Sequence, residues 1–419
     1  MFDQHPGLID AVRDRFAHVA TCPEQGDRVF FENAGGALTL KAVVETSTRF
    51  AAIPDNQGRD NPMSRELVKV IAKARADAMV FLNAREGQVF VGESGTELLF
   101  RMISNAIIES EEGGSVIGTT LEHPASRSAA QRWARIARKE YLSVPHDDDT
   151  GSVEAAGYAA LVRPDTRVAT ILHTSPVTGM AVDVAAIGKA IRAVAPDCYI
   201  IVDGIQHAAH GHLDIDSYGI DGYAISPYKV FSRHGYGIAW ISDRLTALPH
   251  DSLIGGPEGN WELGTRDTGC YAALSDVVSY FDWLGSHFSD SADRRTRLEA
   301  AGAAIHDHEH SLTDAMLHGT GNLEGLADMP SVRIIGGLDN PRREGLVACW
   351  VEGRDTAEII RALSDRGIRV HIRRADYYSR NILDPLDRAD CIRVSMCHYN
   401  TLSEVSHFLT AMREITESG

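Results

Sequence analysis

A lysine and a carboxylate set the chemistry open to this chain. Lys229 stands in Ser226-Pro227-Tyr228-Lys229, and Asp203 opens Asp203-Gly204-Ile205-Gln206-His207. The run Tyr199–Asp203 reads as a buried strand ending in an acid, and Tyr223–Ser226 as a second strand with the lysine just past its end. An amine and an acid at neighbouring strand ends suit pyridoxal 5'-phosphate (PLP). Its aldehyde takes a lysine as a Schiff base, and its pyridine nitrogen needs a carboxylate to stay protonated as an electron sink.

Further residues could complete such a site. Gly92-Glu93-Ser94-Gly95-Thr96-Glu97 follows a strand and opens a helix, so Gly95 and Thr96 could cup a phosphate; taken alone, the stretch also reads as an ordinary capped helix start. His123 follows a strand and could stack on the pyridine ring, or simply be a loop histidine. Gln206 could reach the ring hydroxyl, or be a polar helix-start residue. Arg393, in a strand-like run, could grip an α-carboxylate with two parallel hydrogen bonds, or sit in a surface ion pair. His207, His210 and His212 are spaced like metal ligands, but no nearby carboxylate or cysteine completes a set, so no metal is expected.

The elements that must position these groups alternate in type. Strand-like runs at Gln88–Val91, Ser115–Gly118, Glu140–Val144, Arg167–His173, Tyr199–Asp203, Tyr223–Ser226 and Gly237–Ile241 are interleaved with helical patterns. This predicts an α/β fold: a mostly parallel seven-stranded sheet with its ligand at the carboxyl ends of the strands. Val332–Ile335, Leu346–Val351 and Ile368–Val370 predict a smaller C-terminal α+β domain. The expected division is an N-terminal segment over 1–30 packing on the small domain, a large domain over 31–287 and the small domain over 288–419.

Composition excludes several classes. The 419 residues are 44% hydrophobic and 24% charged, ordinary for a globular protein. A net charge of −17 argues against nucleic acid or an anionic membrane as partner. No apolar run reaches membrane-spanning length, and the N-terminus lacks the pattern of a signal peptide. The six cysteines are scattered without a C-x-x-C pair, which predicts reduced thiols and a cytoplasmic protein.

From about Asn33 to Leu409 the chain resembles the fold-type I, class V aminotransferase superfamily, in its cysteine desulfurase-like branch. Asn33-Ala34-Gly35-Gly36 is similar to the family's entry to the active site, Gly95-Thr96-Glu97 to its phosphate turn, and Glu122-His123 to its ring-stacking histidine. Asp203-Gly204-Ile205-Gln206 resembles the segment that holds the pyridine nitrogen and O3′. Ser226-Pro227-Tyr228-Lys229 resembles the lysine motif, with Tyr228 in a slot that is usually histidine. Glu262-Leu263-Gly264-Thr265 is similar to a motif whose threonine reaches the partner subunit's phosphate, which implies a homodimer with Thr265 shared across it. Arg393-Val394-Ser395 and His398-Tyr399-Asn400-Thr401 resemble the carboxylate-binding segment.

The resemblance implies PLP as cofactor and a small amino acid as substrate, with Asn33, Arg373 and Arg393 as substrate contacts. Where desulfurases carry a thiol that accepts sulfur, Arg373-Arg374-Ala375-Asp376-Tyr377-Tyr378-Ser379 has none, and Tyr378 falls nearest its slot. The expectation is therefore an aminotransferase, with Lys229 as base at Cα; a β-eliminating C–S lyase or an epimerase is the alternative. Arg373 and Arg374 hint at a second acidic group on the substrate.

Overall fold

The computed structural model describes residues 2–417. Seven strands form the large sheet: β1 (Gln88–Gly92), β2 (Ser115–Thr119), β3 (Glu140–Val144), β4 (Thr166–Leu172), β5 (Tyr199–Asp203), β6 (Gly222–Ile225) and β7 (Gly237–Ile241). Their spatial order is 3-2-4-5-6-7-1. The neighbours from β3 through β6 run parallel, and β7 lies antiparallel between β6 and β1. The expected mostly parallel sheet is present. Strands β2, β6 and β7 are buried at every residue, as a sheet covered on both faces requires.

Helices cover those faces. The chain between β1 and β2 forms α1 (Gly95–Glu109), whose start is fixed by Ser94, its hydroxyl accepting from Glu97 N–H at 3.1 Å. Leu98, Leu99, Met102, Ile103, Ala106 and Ile107 lie along one stripe and are buried against the sheet. Each of the larger side chains contributes roughly 1.5–3 kcal/mol on burial. Between β2 and β3, α2 (Pro124–Ile136) starts at His123, with proline at its first position, where no intrahelical N–H is needed.

After α3 (Thr268–Gly285) and the long α4 (Arg294–His318), the chain builds a four-stranded antiparallel sheet. Its strands are β8 (Val332–Ile334), β9 (Leu346–Val351), β10 (His371–Arg374) and β11 (Asp390–Ser395), in the order 8-9-11-10. Leu312 and Met316 of α4 and Phe408 and Met412 of α5 (Leu402–Glu417) join one apolar core with Val347, Ile392 and Val394 of this sheet. Arg373, at the head of the stretch that corresponds by resemblance to the desulfurases' active-site loop, lies inside β10. The residues expected over 1–30 divide between two cores: Leu8, Val12 and Phe16 join the cluster under the large sheet, and Val29 joins that of the small one.

Candidate active site

Strands β5 and β6 are parallel neighbours, with Asp203 opposite Ala224, so Asp203 and the turn carrying Lys229 emerge at the same edge of the large sheet. Thr96, His123, Pro176, Gln206, Ser226 and Tyr228 join them around a small cavity of about 50 Å³.

Lys229 Nζ donates to Gln206 Oε1 at 3.1 Å. Burial pushes its amine down to about 7, and Arg393 and Arg373 push the same way against the pull of Asp203. Asp203 is buried, and its Oδ1 accepts from Ile205 N–H at 3.1 Å. Burial raises its carboxyl to about 6. His123 Nδ1 accepts from Ala125 N–H at 3.2 Å, capping α2 and fixing the ring's direction. Burial, then the charges of Lys229, Arg373 and Arg127, hold this imidazole neutral, down to about 3.

Gly95 stands where no side chain fits: a Cβ there would lie 2.5 Å from Ser226 Oγ and from Ile205 Cδ1. Tyr228 stacks on His234, ring centroids 4.3 Å apart. Asn33 is 2% exposed, and its amide is spent inside the protein. It donates to the Ser395 carbonyl at 2.8 Å and accepts from the Tyr399 hydroxyl, tying the N-terminal chain to the end of β11. The neighbouring Gly36 lies against Tyr228. Thr265 is exposed and lines a separate cleft with Phe50 and Asp55, away from its own chain's cavity.

The small sheet supplies the cations. Arg393 on β11 is buried and gives Nη1 to the Pro176 carbonyl at 3.0 Å; burial, then Arg373, brings it down to about 10. Arg373 on β10 donates from Nε and Nη2 to Ser379 Oγ at 3.0 and 2.6 Å. The turn after β10 lies over the cavity mouth, where the Tyr378 ring sits 5.4 Å from that of His123. Arg127 fastens this turn to the large-sheet side by donating to the Tyr377 carbonyl at 2.9 Å, and Asn381 Nδ2 reaches the Thr120 carbonyl at 2.5 Å. No cysteine lines the cavity, and Cys391 and Cys397 are buried.

Several neighbours of the site have no mark in the local sequence. The histidine cluster does have carboxylates: His210 Nδ1 lies 2.6 Å from Glu309 Oε2, and His207 Nδ1 lies 2.5 Å from Glu344 Oε1. Because His210 Nε2 is 3.2 Å from Gln206 Nε2, a buried chain runs from Lys229 through Gln206 and His210 to Glu309 on α4. With Cys397 close by, His210 and Glu309 make the one trio among the described residues with metal-ligand spacing, and the short contact within it is that of a hydrogen bond. His173 stacks on His207 at 3.5 Å and meets the Tyr223 hydroxyl at 2.8 Å. Glu122, fully buried, accepts from Thr170 Oγ1 at 2.5 Å beneath His123, and burial lifts it to about 7. Glu309 and Glu344 are unreadable in sequence because their histidine partners lie 99 and 137 residues away.

This fold is that of a known family. Residues 29–266 and 296–408 match Aminotransferase class-V, and the chain belongs to that family, whose members use PLP. The chain is 26% identical, over 97% of its length, to the cysteine desulfurase-like protein ustD of Aspergillus flavus, covering 90% of that protein. It is 24% identical, over 97% of its length, to the aminotransferase-like protein FGM3 of Gibberella zeae, covering 98% of it. Among solved structures, the cysteine desulfurase CsdA of Escherichia coli superposes with a TM-score of 0.79 at 21% identity, over 98% of each chain. The apo cysteine desulfurase of Thermococcus onnurineus NA1 gives 0.79 at 20% identity, over 94% of this chain and 95% of that one. These two likenesses establish the fold. No helix of the described residues is long and apolar enough to cross a membrane.

Proposed function

We propose that this protein is a PLP-dependent aminotransferase acting on a small amino acid, as a homodimer in the cytoplasm. The observation that carries the reaction type is Tyr378: the turn over the cavity presents a phenol toward His123, and no thiol lines the space around Lys229. A desulfurase needs a thiolate there to accept sulfur.

The residues fit PLP. Asp203 is a buried acid at the cavity wall, as a protonated pyridine nitrogen requires, and the Gly95 cradle leaves backbone bare at a helix start, where a phosphate sits best. Thr96, Ser226 and Tyr228 offer hydroxyls around it. When bound, PLP supplies a sink for the electrons released at Cα. Gln206 aims Lys229 Nζ into the cavity, and an amine near 7 gives up and takes protons readily at neutral pH, as a general base at Cα must. His123, neutral and fixed by its capping bond, can lie against a flat ring without repelling it. Arg393 presents its guanidinium to an α-carboxylate, and the turn at Tyr377–Ser379 sheds water from the mouth. Thr265, outside its own chain's cavity, is free to serve the phosphate of a second copy.

A C–S lyase is the second reading, favoured by the relatives and solved structures that are named cysteine desulfurases or likened to them. One experiment separates the two. Amino acids are added to the PLP-loaded protein without an oxo-acid acceptor, and the products are counted. An aminotransferase stops after one equivalent of 2-oxo acid per site; a lyase continues, releasing ammonia or sulfide. Lys229→Ala must abolish either outcome. If no amino acid yields oxo acid, the proposal fails.

A further inference from the structure

Two guanidiniums stand beside the cavity, where an α-carboxylate requires one. Resting on the reading of the site given above, we propose that the substrate is an amino acid whose side chain bears a second acidic group, with Arg393 holding one anion and Arg373 the other.

The strand register fixes the arrangement. His371 lies opposite Arg393 and Arg373 opposite Cys391, so Arg373 and Arg393 share one face of the β10–β11 pair at a diagonal step. Such a step separates Cα atoms by roughly 7–8 Å, within reach of two long side chains converging on one small molecule. On that face Arg393 meets the carbonyl of Pro176 in the cavity wall, and Arg373 lies beside Tyr378, whose ring is 5.4 Å from that of His123. Arg374, one residue on, takes the opposite face and is exposed.

Neither guanidinium has a counter-ion within ion-pair distance among the described residues. Arg393, 3% exposed, gives Nη1 to the Pro176 carbonyl, while its Nε has no acceptor. Arg373 spends two donors on the neutral Ser379 hydroxyl. Glu32, which faces Arg393, is occupied by Arg369 at 2.7 Å and His371 at 3.2 Å. Asp376, on the turn beside Arg373, is exposed and accepts from Tyr378 N–H at 2.8 Å. The Tyr378 ring lies 5.3 Å from the Arg373 guanidinium carbon and steadies it without neutralising it.

Two like charges held close together, one of them fully buried, cost stability unless an anion joins them. The chain has 58 acidic residues against 41 lysines and arginines, so acids were available to pair with these two. Their absence here leaves room for two anionic groups of a ligand. A single carboxylate would satisfy Arg393 and leave Arg373 on a hydroxyl.

The test compares side chains that differ in charge and hardly in shape. Aspartate against asparagine, and glutamate against glutamine, are titrated into the PLP-loaded enzyme and followed by cofactor absorbance at low salt. In at least one pair the acid should bind roughly ten- to hundredfold more tightly. Arg373→Gln should bring that ratio towards one through lost affinity for the acid, and Arg373→Lys should keep part of it. Arg374→Gln should leave the ratio as it is. Equal affinities in both pairs overturn the proposal, as does an Arg373→Gln variant that loses acid and amide alike, since both arginines would then serve one carboxylate. Calorimetry of succinate against butyrate on the PLP-free protein reads the same pocket without the cofactor. A protein that takes up no PLP yet prefers succinate keeps the two-anion pocket and sinks the functional reading. One that takes up PLP and does not discriminate keeps that reading and sinks this inference.

Discussion

Replacing Lys229 by methionine is expected to stabilise the PLP-free protein. The amine titrates near 10.5 in an unfolded chain and at about 7 in the folded protein, chiefly because burial strips its water. At 1.36 kcal/mol per pKa unit, the gap corresponds to ~5 kcal/mol of folding energy withheld while the amine is charged. Part of Lys229 faces the cavity, so solvent screens it, and about half of that figure is expected in practice. The sign follows from proton counting. The folded value lies below the unfolded one, so between pH 7 and 10.5 the unfolded chain holds a proton that the folded protein has lost. Stability of the wild type therefore rises with pH across that window, relative to a variant that cannot titrate. Urea unfolding of wild type and Lys229→Met, at steps from pH 6.5 to 10, gives a difference curve in which all other titrations cancel. The methionine variant should lead by about 2–3 kcal/mol at and below pH 7, and the lead should shrink toward zero near pH 10.5. A flat difference, or a variant that is less stable at pH 7, would refute the claim that the fold holds Lys229 at a cost. Such a cost is what a site built for reactivity carries.

Two further outcomes follow from the site's geometry. Gly95→Ala puts a methyl group 2.5 Å from Ser226 Oγ and Ile205 Cδ1, so it should weaken retention of PLP about tenfold or more on dialysis, with little change in the circular dichroism of the apoprotein. Glu309→Gln removes the charge that raises His210 above the usual imidazole range. A raised folded value adds stability below the unfolded pKa and loses it as pH rises through the folded one, so this variant should cost about 2 kcal/mol at pH 6 and less at pH 8. Unfolding at the two pH values checks it, together with the His210 ring resonances; an equal loss at both would mean that the pair carries no charge.

The cofactor side of the site was legible because its signals are local. A short buried strand ending in Asp203, another ending before Lys229, and a glycine turn opening a helix can each be read within a window of ten residues or so. Parallel strands then bring their ends together by rule. The substrate side was legible only in part. Arg373 heads the stretch Arg373–Ser379 that corresponds to the family's active-site loop, but its pairing with β11 sets it in a strand beside Arg393 and sends Arg374 to solvent. Glu309 and Glu344 gave no sign at all, since their histidine partners lie 99 and 137 residues away. Asn33 was visible as a motif, yet its amide proved to be spent on Ser395 and Tyr399, a matter of packing that no spacing reveals.

This unevenness has a physical cause that bears on function. The groups that would hold PLP stand on the ends of the large parallel sheet, where local pattern and topology agree. Both cations that would read a substrate come from the antiparallel pair β10–β11, set against the cavity by the packing of a second core. The tyrosine turn over the mouth follows directly from β10 and is fastened to the first unit through Arg127 and Asn381. A change in that turn or in the charge pattern of β10 can alter which substrate is gripped without touching Asp203, Lys229 or Gly95. Tyr378, in the slot nearest a desulfurase's thiol, and Arg373, without an ion-pair partner among the described residues, both fall within residues 373–379, so one segment would bear both on the reaction and on the grip on substrate proposed above.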